Sequence, residues 1–164
     1  MVIFNAHEVF DIAVRIEQNG EDAYRQLALK FDDAKIRQLF TFLADEEVKH
    51  RDYFSTLARD AIKFEQDVPE SFAGEYLEYF KSYVDGKVFT QDTLNAALNQ
   101  IRTPDEALLF AIQRELDSIL YYQEVKSLVS EKQKKFIDQI IDEERQHFLR
   151  LQQLRNIYLK NPTA

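Results

Sequence analysis

Two copies of one short motif carry residue types that bind metal ions. The sequence Asp-Glu-Glu-x-x-His occurs at residues 45–50 and again at residues 142–147. The second Glu and the His of each copy are three residues apart, so on a helix they lie on one face and can bind the same ion. Two further glutamates stand 98 positions apart, each with an Ala four residues before it and a Tyr seven residues after it. The six candidate ligands are Glu17, Glu47, His50, Glu115, Glu144 and His147.

All six candidates interrupt stripes of apolar residues that repeat every three to four positions, as on the buried face of a bundle helix. A buried carboxylate without a partner destabilises a protein by several kcal/mol, so such positions normally hold apolar side chains. Two divalent cations would balance the charge of the four carboxylates. The alternative is a metal-free bundle in which the same groups form buried salt bridges.

Four long helices are predicted to position these residues. The first spans about residues 6–30, and the second follows the turn at 31–33 and ends near residue 58. The third begins with a Thr-Pro-Asp-Glu capping box at residues 103–106, and the fourth begins after Ser130 and ends near residue 158. We expect one all-α domain over residues 1–164, a four-helix bundle (about 5–60 and 104–158) with a long crossover (about 61–103) that carries short helices.

The candidate ligands lie at matching heights in this bundle. The first turn centres on Asp32, midway between Glu17 and Glu47, and the second turn lies midway between Glu115 and Glu144. Fifteen residues of helix span ~22 Å, so each pair faces across its hairpin at one level. We expect Glu17 and Glu115 to be terminal ligands and Glu47 and Glu144 to bridge two metals. His50 and His147 would then bind one metal each.

Three further residues lie near the candidate ligands on the same helix faces. Tyr24 and Tyr122 are two turns from the terminal glutamates. A buried tyrosine hydroxyl needs a hydrogen-bond partner, so these residues either pack in the core or donate to a ligand carboxylate. Gly20, unfavourable inside a helix, either relieves crowding or leaves space beside the metals for a small oxygen substrate.

The remaining polar neighbours are assigned to the protein surface. Glu46 and Glu143 point about 100° away from the apolar stripes and are predicted to face solvent. Asp45 and Asp142 are candidates for orienting the imidazoles, but a surface position is favoured. His7, the third histidine, receives no role because it lies in the first turn of its helix.

The crossover carries aromatic residues at helical spacing, namely Phe72, Tyr76, Tyr79, Phe80 and Tyr83. Because aromatic residues dominate cores and interfaces, packing against the bundle or a dimer partner is favoured over ligand binding. A second short helix is predicted around Leu94–Ile101.

Composition excludes several classes of protein. A net charge of −8 argues against a broad nucleic-acid surface and against an anionic membrane surface. The absence of cysteine excludes disulfides, thiol catalysis and thiolate-bound iron within this sequence. Neither a secretory signal nor a membrane-spanning stretch is predicted, and we expect a cytoplasmic location.

The motif pairs resemble those of the ferritin-like di-iron carboxylate proteins, most closely the rubrerythrin and bacterioferritin branch. This resemblance covers the bundle and implies two iron ions, with manganese or zinc as alternatives, that react with hydrogen peroxide or dioxygen. Haem is not expected, because bacterioferritins bind it through methionine and the one Met here is Met1. Rubrerythrins carry an extra carboxylate one turn before the third-helix glutamate, where this chain has Ile112.

The resemblance implies a rubrerythrin-like oxidoreductase that reduces peroxide or dioxygen. Full rubrerythrins also contain a cysteine-ligated rubredoxin domain, so electrons are expected here from an external donor protein. We expect a homodimer. Two alternatives remain: a ferroxidase, iron-binding or iron-storage protein, and a non-catalytic structural metal-binding bundle.

Overall fold

The computed structural model describes residues 6–64, 78–79, 82–84, 88, 90–127 and 129–160. Its longer elements are all helical: α1 (Ala6–Lys30), α2 (Ala34–Phe64), α3 (Gln91–Gln100), α4 (Pro104–Ser127) and α5 (Glu131–Lys160). Helices α1 and α2 pack along each other as one hairpin, and α4 and α5 form another. Contacts of α1 with α4 and of α2 with α5 join the two hairpins, and α3 lies against α1. The predicted four-helix bundle with an intervening crossover is confirmed.

The core consists of two apolar clusters at different heights in the bundle. One cluster includes Phe10, Ala13, Phe54, Tyr121 and Ile141. The other includes Ala23, Ala44, Ile112 and Leu151, together with Leu94 and Leu98 of α3. On each long helix the candidate ligands lie between residues of one cluster and residues of the other. The ligand positions therefore form a polar layer that is closed by apolar packing above and below.

Side-chain caps fix where the long helices begin. The Thr103 hydroxyl accepts a hydrogen bond from the Glu106 amide at 3.2 Å, and the Glu106 carboxylate accepts one from the Thr103 amide at 3.1 Å. This reciprocal pair is the predicted capping box. Ser130 and Gln133 cap α5 in a similar way. For α1 the sequence predicts a cap at Asn5, three residues before Glu8, but Asn5 lies outside the described residues.

The predicted end of α2 was wrong. The helix continues to Phe64 rather than ending near residue 58. Residues 59–64 contain neither glycine nor proline, and the next proline is Pro69, so the sequence has no residue that would stop the helix earlier.

The described part of the crossover packs on the bundle. Thr90 caps α3, and the Lys30 ammonium donates to the carbonyl of Leu98 at 2.8 Å. The Tyr83 hydroxyl donates to the carbonyl of Asp117 at 2.6 Å, and its ring contacts the core. Tyr79 is about half exposed. The packing interpretation therefore holds for Tyr83, while Phe72, Tyr76 and Phe80 lie outside the described residues.

None of the described helices combines the length and the apolar character that crossing a membrane requires.

Candidate metal centre

The structure brings all six candidate ligands into the polar layer between the two clusters. All six residues are buried, and none is more than 4% exposed. The other buried residues in the described part of the chain are hydrophobic, so these six are the ones that make the core polar at this level.

The six side chains form two overlapping ligand groups. In each group one oxygen or nitrogen atom per residue lies within 4.8 Å of the others. The first ligand group is Glu17, Glu47, His50 and Glu144. The second ligand group is Glu47, Glu115, Glu144 and His147. Glu47 and Glu144 belong to both groups, which is the arrangement that two adjacent ions with bridging carboxylates would need.

Unsatisfied atoms in the layer indicate that the site suits a cation. Among the described residues, Glu17 Oε2, His50 Nδ1 and Glu144 Oε1 are buried and have no hydrogen-bond partner. His50 Nδ1 lies 3.6 Å from Glu17 Oε2 and 3.2 Å from Glu144 Oε1, so these atoms converge. Buried polar atoms without partners are rare in folded proteins. A divalent ion bound between these three atoms would satisfy all of them.

The tyrosines two turns from the terminal glutamates hold carboxylates in place. Tyr24 of α1 donates to Glu115 Oε1 of α4 at 2.6 Å. Tyr122 of α4 donates to Glu17 Oε1 of α1. Burial and the neighbouring carboxylates raise the pKa of both phenols well above the usual value, so both remain donors. Both interpretations of these residues hold, because each tyrosine packs in an apolar cluster and also donates to a ligand carboxylate of the other hairpin.

Two of the four carboxylates, Glu47 and Glu115, are destabilised as anions where they lie, whereas at Glu144 burial is outweighed by the charge of His50, which lowers the pKa. Burial, followed by the charge of Glu17, raises the pKa of Glu47 well above its usual range. Burial and the charge of Glu144 raise the pKa of Glu115 to about 8. Burial alone would disfavour protonated imidazole, but the carboxylates outweigh it. They raise the pKa of His50 to about 12 and that of His147 to about 10. Protons thus supply the positive charge that two divalent ions could supply instead.

The prediction that Glu143 only faces solvent was incomplete. Its side chain is 55% exposed, yet His50 Nε2 donates to Glu143 Oε2 at 2.8 Å. This bond leaves Nδ1 of His50 turned towards the first ligand group. Glu46, the matching residue of the other motif, instead forms an ion pair with Lys49. Sequence spacing could not reveal this difference, because the two Asp-Glu-Glu-x-x-His copies are alike.

The other surface assignments agree with the structure. Asp45 is 57% exposed and pairs with Arg25 at 2.8 Å. Asp142 is 71% exposed and pairs with Arg145 at 2.8 Å. Both carboxylates pair with an arginine and not with an imidazole, so the favoured surface position is confirmed for both. The side chain of His7 lies outside the described residues.

A small cavity lies beside the bridging position of Glu47. Its volume is about 30 Å³, and its lining includes Gly20 and Glu47. Residues Tyr83 and Val84 of the crossover also line it, as does Ser118 on α4. A side-chain carbon at Gly20 would lie 3.0 Å from Cδ of Glu47, so the glycine both relieves crowding and borders open space. The two roles considered for Gly20 are therefore compatible.

Comparison with known proteins agrees with this geometry. The sequence profile of the Rubrerythrin family matches residues 8–155. A crystal structure of a Thermotoga maritima protein, described as a candidate ferritin-like diiron-carboxylate protein, superposes with a TM-score of 0.70. The two sequences are 26% identical, and the match covers 95% of this chain and 97% of that one. No curated protein matched the sequence. With most of its length in the family profile and the fold shared, the chain belongs to the rubrerythrin family.

Proposed function

We propose that the protein is a di-iron oxidoreductase that reduces hydrogen peroxide or dioxygen. One observation carries the proposal: four carboxylates and two imidazoles are buried together as two overlapping groups that share Glu47 and Glu144. Glu17 and His50 would complete one iron site, and Glu115 and His147 the other. Bound as two ferrous ions, iron would supply the two electrons that convert peroxide and two protons into two water molecules.

The surrounding residues would orient the ligands and exclude bulk water. Tyr24 and Tyr122 each occupy one oxygen of a terminal carboxylate, which leaves the other oxygen for a metal. The apolar clusters on both sides of the layer keep solvent away from the reacting atoms. None of the 164 residues is cysteine, so no thiolate-bound iron within them can deliver electrons. A separate donor protein is therefore part of the proposal.

The cavity beside Glu47 favours a small oxidant. A cavity needs a volume of roughly 10–15 Å³ to hold one water molecule. The cavity of about 30 Å³ therefore suits a molecule with two oxygen atoms. Because adding even one methylene to a ligand in a filled pocket changes binding by roughly tenfold or more, we expect bulky organic hydroperoxides to react poorly.

The proposal is tested by loading the protein with two equivalents of ferrous iron without oxygen and adding hydrogen peroxide. The formation of ferric iron, which is measured by its light absorption, should be clearly faster in the protein than for the same iron in buffer. The tert-butyl hydroperoxide reaction should be at least about tenfold slower. A Glu144→Ala variant should lose the acceleration, because Glu144 belongs to both ligand groups. Oxidation at the buffer rate in the wild-type protein would contradict the proposal.

A further inference from the structure

We infer that the two metal positions are unequal, that the first divalent ion binds in the first ligand group, and that Glu143 is the positioning residue responsible. This inference rests on the proposed metal centre but not on its reaction with oxidants. It concerns which group is ready to bind an ion and which must first rearrange.

The three atoms of the polar layer that lack a hydrogen-bond partner all face the first ligand group. Glu17 Oε2 and His50 Nδ1 belong to that group alone, and Glu144 Oε1 is the oxygen of the shared carboxylate nearest to His50. In the second ligand group, the imidazole Nδ1–H of His147 already donates to Glu144 Oε2 at 3.0 Å. An ion that enters the first group breaks no hydrogen bond of these atoms and replaces only the ion pair between His50 Nδ1 and Glu144 Oε1 at 3.2 Å. An ion that enters the second group must displace the bond between His147 and Glu144.

The two imidazoles also differ in the contacts that they make outside the ligand groups. The bond from His50 Nε2 to Glu143 fixes the ring orientation, so that Nδ1 faces the ligand group and can bind a metal in place of its proton. The residue that motif symmetry would place against His147 is Glu46, and its carboxylate is held by Lys49. Within the described part of the chain, His147 stacks on the ring of His50 at 5.8 Å between centroids, and the ring of Phe42 meets it edge-on at 6.0 Å. These contacts pack the ring but accept no hydrogen bond.

Both differences favour the same order of binding. A ligand whose orientation is already fixed loses less conformational freedom when the ion binds. A carboxylate behind a metal-binding imidazole also makes the ligand more basic, and its loss typically lowers metal affinity by about 10–100-fold. The first ligand group has such a carboxylate, and the second ligand group lacks it among the described residues.

The test is a calorimetric titration of the metal-free protein with zinc. The wild-type protein should bind two equivalents in two resolved steps. Glu143→Ala should weaken the tighter step by about tenfold or more, and Glu143→Gln, which keeps a hydrogen-bond acceptor, should restore part of the loss. The matched control Glu46→Ala should leave both steps unchanged. Because Glu143→Gln keeps an acceptor for His50, its metal-free melting temperature should match that of the wild type, so a weaker tight step in this variant reports on metal binding and not on a general structural defect.

A crystal structure with one equivalent of zinc identifies the occupied position directly. Anomalous density should appear beside His50 and not beside His147. Two equal binding steps in the wild-type protein, or an equal effect of Glu46→Ala, would overturn the inference and leave the proposed oxidoreductase intact. Conversely, failure to oxidise ferrous iron would count against the oxidoreductase without affecting unequal zinc binding. No binding of zinc at all would overturn the inference and remove its basis.

Discussion

Gly20 has no side chain, and this leaves room for the carboxylate of Glu47 in the polar layer. A Cβ atom at this position would lie 3.0 Å from Cδ and 3.2 Å from Cγ of Glu47. These distances are shorter than ordinary carbon–carbon contacts, so Glu47 would have to move by a few tenths of an ångström. A metal site needs its ligands held within about 0.5 Å of the productive geometry, so a shift of this size uses up much of that tolerance.

We predict that Gly20→Ala separates folding stability from metal binding. Alanine inside a helix is favoured over glycine by about 1 kcal/mol, so the free energy of unfolding of the metal-free protein should fall little or even rise. The increase in melting temperature on adding metal should shrink, because Glu47 no longer lies where both ions need it. Thermal unfolding with and without zinc measures both effects.

Ser118 provides the matched control, since it occupies the equivalent position on α4 and lines the same cavity. Ser118→Ala adds no atom near Glu47, so its metal-induced increase in melting temperature should equal that of the wild type. An undiminished increase in Gly20→Ala would show that Glu47 is free to adjust.

The convergence of the six side chains could be predicted from the sequence, because helical spacing determines which residues share a face. Glu47 and His50 are one turn apart on α2, so their convergence follows from local geometry. The bond between His50 and Glu143 joins two different helices. It depends on the lateral offset and side-chain rotamers of α2 and α5, which a repeated motif does not encode. The same limit explains why Tyr24 and Tyr122 could not be assigned from sequence.

At the scale of elements, Asp33 joins three helices through one carboxylate. Its Oδ1 accepts hydrogen bonds from the amides of Lys35 and Ile36, at 2.8 and 3.0 Å, and so caps α2. Its Oδ2 accepts a hydrogen bond from Tyr158 near the end of α5. The turn between α1 and α2 is thereby tied to the opposite hairpin, close to one end of the bundle.

We predict that Asp33→Ala lowers the free energy of unfolding by about 1–2 kcal/mol, the range for loss of an N-terminal cap. Asp33→Asn keeps the capping oxygen and should lower the free energy of unfolding by less. Urea denaturation of the two variants and the wild type gives the comparison. Equal stability of Asp33→Ala and the wild type would mean that the cap is redundant.

The pH dependence of the Asp33 contribution has a definite sign. The hydrogen bond from Tyr158, followed by that from the Ile36 amide, lowers the pKa of Asp33 below 3.8. A carboxylate with a lowered folded-state pKa stabilises the fold above its unfolded-state pKa, and this contribution is lost as the pH falls through the folded-state value. The stability difference between wild type and Asp33→Asn should therefore be constant near neutral pH and diminish only in acid.

Element boundaries were predictable where a side chain marks them. The Thr103–Glu106 box and Ser130 identified the starts of α4 and α5 correctly, because capping is a local interaction. The end of α2 carries no such marker, and its predicted position was wrong. The placement of α3 against α1 also lay beyond sequence reasoning, since it depends on long-range packing of Leu94 and Leu98.

At the scale of the whole molecule, a polar layer divides the core and makes the metal-free fold sensitive to pH. Apolar packing on both sides keeps bulk water away from the carboxylates. Protons must then offset their charge in the absence of metal, as the raised pKa values of Glu47 and Glu115 indicate. Metal binding requires those protons to leave, so metal and protons compete for the same layer.

This competition predicts opposite pH trends for the two forms of the protein. Glu115 has a folded-state pKa of about 8 against an ordinary value of 4.5, so its folded form keeps a proton that the unfolded chain loses between these values. The stability of the metal-free protein should fall across that range. The pKa of His147 is raised to about 10 from 6.5, so its contribution is complete below pH 6.5 and is also lost as the pH rises. Both effects act together between about pH 6.5 and 8.

We therefore expect the melting temperature of the chelator-treated protein to fall from pH 6.5 to pH 8, while the increase on adding metal grows over the same interval. Thermal unfolding at several pH values, with and without zinc, measures both trends. In a Glu47→Gln/Glu115→Gln double variant, the fall in melting temperature from pH 6.5 to pH 8 should be smaller. This variant lacks the two carboxyl groups with raised pKa values, so only the histidine contribution remains. A metal-free protein whose melting temperature rises towards pH 8 would show that the layer does not hold its protons, and that the carboxylates are paired or hydrated in another way.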